Sequence, residues 1–87
     1  MEMREVRFNA YEASGFDAIK EQVGYAEFTQ AVGYLSTWAI AGDAYPKVTL
    51  YANPKELEIT ATYWKADGKL GYVIGAVWHE GHFGFHS

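Results

Sequence analysis

The segment WHEGHFGFHS, Trp78–Ser87, holds all three histidines of the chain, at positions 79, 82 and 86, with Glu80 between the first two. Imidazoles and a carboxylate at this density suggest metal ligation, proton transfer or a pH-responsive contact. The zinc-protease pattern spaces two histidines four apart, so that they share a helix face. Here they are three apart in glycine-rich, strand-like sequence. His79, Glu80 and His82 can converge on an ion only if Glu80-Gly81 makes a tight turn. A closed structural zinc site needs four ligands, and the chain has no cysteine to supply one. The competing reading is a polar sheet edge. A turn at Glu80-Gly81 then leads into a short terminal strand, with Phe83 and Phe85 on one face and His82 and His86 on the other.

Hydroxyl nucleophiles give little further chemistry. Ser14 begins Ser14-Gly-Phe-Asp17, which approximates a capping box and reads as a helix start near Gly15. Ser36 falls on the polar face of a helical segment. No phosphate-cradling glycine motif follows a strand, and no motif asks for a cofactor. The expectation is a protein that is not an enzyme.

The 87 residues make one expected domain, residues 1–87, with a modest core. Without cysteines, a reducing cytoplasm is the expected compartment. MEMREVRF has no apolar segment of the signal-peptide kind, and no apolar run approaches the ~20 residues of a membrane helix. The net charge of −4 argues against phosphate-backbone binding, which needs a basic footprint. Aromatics make up 17% of the chain. A core this small cannot enclose them all, so some must gather on the surface, where clustered rings mark contact sites.

The expected order is β-α-α-β-β-β. Val6, Phe8 and Ala10 alternate with polar neighbours and predict a first strand over Arg4–Tyr11. Phe16, Ile19 and Val23 form one helical stripe. Phe28, Ala31, Val32, Leu35 and Ala39 form a second, rotated from the first. One straight helix cannot bury both, so a break is expected at Gly24-Tyr25, followed by a helix to about Ile40, with Gly42 as a stop. Lys47–Ala52, Leu57–Lys65 and Lys69–Trp78 read as strands. Asn53-Pro54-Lys55-Glu56 reads as a type I turn, and Asp67-Gly68 as a hairpin turn.

Two hairpin registers compete. A two-residue turn at Asp67-Gly68 opposes Tyr63 with Tyr72, Ala61 with Ile74, and Ile59 with Ala76. Its other face then pairs Trp64 with Gly71, Thr62 with Val73, and Thr60 with Gly75. A three-residue turn at Ala66-Asp67-Gly68 shifts this by one and sets Trp64 near Leu70. Because a one-residue slip exchanges faces, the first register is preferred. It also lays Trp64 over Gly71.

The expected fold is therefore α+β. A single-layer antiparallel sheet of four strands, with a fifth at His82–His86 in the edge reading, carries helices on one face only. Tyr11, Tyr51, Thr60, Thr62, Trp64 and Val73, with Thr49, share the uncovered face. Tyr and Trp there suit a recognition platform for a protein partner, or for a second copy of the chain in a homodimer. Base stacking is the alternative use of such a face, disfavoured by the charge. Histidine-tail metal binding is the other alternative function.

Short, acidic, free of cysteine and rich in aromatics, the chain resembles small phage-encoded proteins that disable host machinery, anti-CRISPR inhibitors among them. The resemblance implies an inhibitor that covers a functional surface of a larger complex.

Overall fold

The computed structural model describes residues 5–8, 13–36 and 45–86. Its elements follow the expected order: β1 (Glu5–Phe8), α1 (Ala13–Val23), α2 (Tyr25–Ser36), β2 (Lys47–Asn53), β3 (Glu58–Trp64), β4 (Leu70–His79) and β5 (His82–His86). The fold is α+β with one open five-stranded sheet, whose spatial order matches the chain order. Strands β2 to β5 form an antiparallel meander. Strand β1 joins β2 in parallel, Glu5 beside Lys47 and Phe8 beside Leu50, so the sheet is mixed at this edge. The helices explain the difference. They lie in the connection between the two strands, and a crossover of that kind lets neighbours run the same way.

The two helices meet at Gly24, which has φ +97°. Its N–H donates to the Lys20 carbonyl at 2.9 Å, and its carbonyl accepts from Phe28 N–H at 3.0 Å. One residue thus completes α1 and opens α2 without a loop. The positive φ that permits this is cheap for glycine. The bend turns the two apolar stripes toward each other, and Phe16 meets Phe28 edge to face at 6.4 Å. Helix α1 already contains Ala13 and Ser14, so Ser14 is not its cap. A cap must have non-helical backbone angles, which a residue inside the helix does not have. The expected extension of α2 to Ile40 and the stop at Gly42 lie outside the described residues.

Each turn uses its own chemistry. The Asn53 carboxamide oxygen accepts from the N–H groups of Lys55 and Glu56, at 3.2 and 3.4 Å, which fixes the β2–β3 turn. The β3–β4 hairpin combines both registers. At its tip, Lys65 N–H donates to the Lys69 carbonyl, Gly68 adopts φ +85°, and Trp64 opposes Leu70. That is the three-residue turn. Between Tyr63 and Trp64 the register shifts, and from Tyr63↔Tyr72 onward every pair is the one required by the two-residue turn. A bulge absorbs the extra residue, so the tip takes its preferred loop while the core keeps its faces. The β4–β5 hairpin turns tightly through Glu80 (φ +51°) and Gly81 (φ +89°), leaving His79 opposite His82.

Alternation on β2 and β3 sends Val48, Leu50, Ala52, Ile59, Ala61 and Tyr63 under the helices, where Ile19 and Leu35 are likewise fully enclosed. Ile74 and Ala76 of β4 complete this layer. Tyr63 brings a hydroxyl into the core and must satisfy it there. It donates to the Leu35 carbonyl of α2 at 2.6 Å, tying the helix to the sheet centre.

Candidate functional site

The same alternation determines what the opposite face displays. Thr49 and Tyr51 on β2 stand beside Thr62 and Thr60 on β3, which in turn stand beside Val73 and Gly75 on β4. No described helix or loop covers this face. Tyr51 is 48% exposed and Val73 40%, while Thr60, Thr62 and Trp64 are half-buried among their neighbours. Five of the six residues expected to form a contact surface, Tyr51, Thr60, Thr62, Trp64 and Val73, thus come together on one side of the sheet. Tyr11 lies outside the described residues.

Trp64 is held differently from the expectation. Its indole N–H donates to Thr49 Oγ1 at 2.9 Å, across to β2, and Lys47 Nζ lies 5.8 Å from its ring. It does not cover Gly71. A Cβ on Gly71 would meet the ring of Tyr45, and the Tyr63 carbonyl oxygen at 2.9 Å. Tyr45 also packs on Tyr63, with ring centroids 6.2 Å apart. The bulge is the cause: it pairs Trp64 with Leu70, so Gly71 no longer stands opposite the indole. A hydrogen bond at the indole N–H and an ammonium over the ring, both from β2, hold Trp64, the latter worth about 0.5–1 kcal/mol at an exposed site.

The histidine corner belongs to the same face. His79 and His82 oppose each other across the Glu80-Gly81 turn, and His86 opposes Gly75. Phe83 stands opposite Trp78 and Phe85 opposite Ala76, on the other side of the strand. This is the polar-edge arrangement. His79 Nε2 lies 3.8 Å from Glu80 Oε1, with both groups largely in solvent. Among the described residues, no group of three or more His, Cys, Asp or Glu side chains is placed to hold a metal ion. His86 reaches across Gly75 to Glu58 on β3, with Nε2 3.3 Å from Oε2. A Cβ on Gly75 would come within 2.7 Å of that imidazole and 3.0 Å of that carboxylate. Glycine here provides the seat for a contact spanning three strands.

Sequence reasoning overlooked Lys47, Glu58 and the role of Tyr45. The first two were within reach. Extending the pairing from the turns places Lys47 beside Trp64, and puts Glu58 across the intervening β4 from His86. Ser36, considered as a nucleophile, donates its hydroxyl hydrogen to the Val32 carbonyl at 2.7 Å, a common helix back-bond. Among the described residues no helix is long and apolar enough to cross a membrane. No protein-family model matches the chain, and searches of curated proteins and of solved structures return no match.

Proposed function

We propose that this chain is a non-catalytic protein-binding domain of the cytoplasm. It docks through the open face of its sheet and acts as an inhibitor by covering a functional surface of a larger complex. One observation carries the reading. Tyr51 and Val73 remain exposed, beside the half-buried Trp64, on a sheet face that no described element covers. A stiff strand holds such side chains with little entropy left to lose on binding, which suits them to anchor a contact. The threonines between them offer hydroxyls to a partner's polar rim, and the acid excess of the chain favours a basic target.

The test compares wild-type chain with Tyr51→Ala and Trp64→Ala in co-purification, with captured proteins identified by mass spectrometry. Circular dichroism verifies that each variant folds. A partner retained by wild type and lost by both variants supports the reading; equal retention by both removes it. Sedimentation of the wild-type chain tells a foreign partner from a second copy, because a tight homodimer built on this face would dissociate in the same two variants.

A further inference from the structure

The helix-bearing side of the sheet is open at its β5 edge. A cleft of about 260 Å³ lies there between α2 and β5. Glu27, Gln30 and Tyr34 line it from the helix, on one face at i, i+3 and i+7. Phe83 and Phe85 line it from alternate positions of the strand, and His82 stands at its rim. The buried Ala31 contributes no bulk between the helical side chains.

The rings are positioned by the fold itself. Tyr34 and Phe85 lean together from the two elements, with centroids 4.5 Å apart and planes inclined by 50°. Phe83 is held edge-on by Trp78 at 5.1 Å. Tyr34 and Phe85 nevertheless keep 49% and 39% of their surface exposed. Rings fixed in advance lose little freedom when a ligand arrives.

Charge then selects the ligand. Glu27 is the one carboxylate among the described lining residues, and no lysine or arginine stands among them. Aromatic faces are negative, and they attract cations that shed water easily. The volume is below the roughly 300–1,000 Å³ of drug-sized sites and suits a head group. We propose that the α2–β5 cleft binds an organic cation, an alkylammonium or guanidinium group, against the rings of Tyr34, Phe83 and Phe85, with Glu27 as counter-charge. The Gln30 carboxamide oxygen is a further acceptor for N–H donors. The site lies on the opposite side of the sheet from the open face, so it stands or falls independently of the proposed function.

Amide chemical shifts of the full chain test this during titration with tetramethylammonium, with guanidinium, and with tert-butanol as the neutral shape analogue. The expected result is saturable shifts at Glu27, Gln30, Tyr34, Phe83 and Phe85 with the cations, and binding of tert-butanol weaker by about tenfold or more. Glu27→Gln, at an exposed position, weakens cation binding about threefold to tenfold. Phe85→Leu keeps the strand apolar and weakens it about threefold or more. A blocked arginine or lysine binding more tightly than the free cations identifies the ligand as a side chain of another polypeptide; the reverse order identifies a free small molecule. Absence of saturation by any cation up to about 50 mM overturns the proposal. So does equal binding of tert-butanol, or indifference to Glu27→Gln.

Discussion

The two faces of β3 are built from adjacent residues and behave as different materials. Ile59, Ala61 and Tyr63 are wholly enclosed, whereas Thr60, Thr62 and Trp64 keep contact with solvent one position away. The enclosed face packs against the helices, where a change of volume is costly. The open face is held by single contacts, such as Trp64 to Thr49, and leaves its rings available. The lesson is that alternation in one strand can separate stability from recognition, so that substitutions should sort by parity of position.

The largest effect is expected from Ile59→Ala. Its side chain is completely buried, and removal leaves a cavity worth about 2–5 kcal/mol. Urea unfolding measures it, and a loss below 1 kcal/mol would break the distinction between faces. Gly71→Ala follows, at about 1–3 kcal/mol, because the new methyl group meets the Tyr45 ring and a backbone carbonyl. Gly75→Ala is expected to cost less, since it meets only the ends of His86 and Glu58, which can swing aside. Equal midpoints for the two alanine variants would contradict this ranking. Tyr63→Phe removes the donor to the Leu35 carbonyl and is expected to cost about 1–2 kcal/mol with packing retained. Smallest is Tyr51→Ala on the open face, within about 0.5 kcal/mol of wild type. A much larger loss would mean that Tyr51 serves the fold rather than a contact.

Period and turn chemistry made most of this architecture legible. The rotated stripes on either side of Gly24 required the helix break, and the apolar pairing of residues 57–63 with 72–78 fixed the hairpin faces. The bulge was not legible, because the sequence satisfies both registers locally and only tertiary packing combines them. Tyr45 over Gly71 was missed for the same reason: nothing in local spacing brings the residue before Pro46 onto a distant strand. The parallel direction of β1 depends on where the helices lie. The open face could be read from alternation alone. The α2–β5 cleft could not, since it needs the packing of a helix face against an edge strand.

That parallel edge also bears on the order in which the chain assembles. Hairpins between β2 and β5 close over short spans and can zip from their turns. Pairing Glu5 with Lys47 must instead wait for both helices to form and swing one strand beside the other. The entropy of closing so long a span is repaid only once its landing place exists. The meander is therefore expected to form first and β1 to dock last, and hydrogen exchange is expected to open the sheet first along the β1–β2 seam.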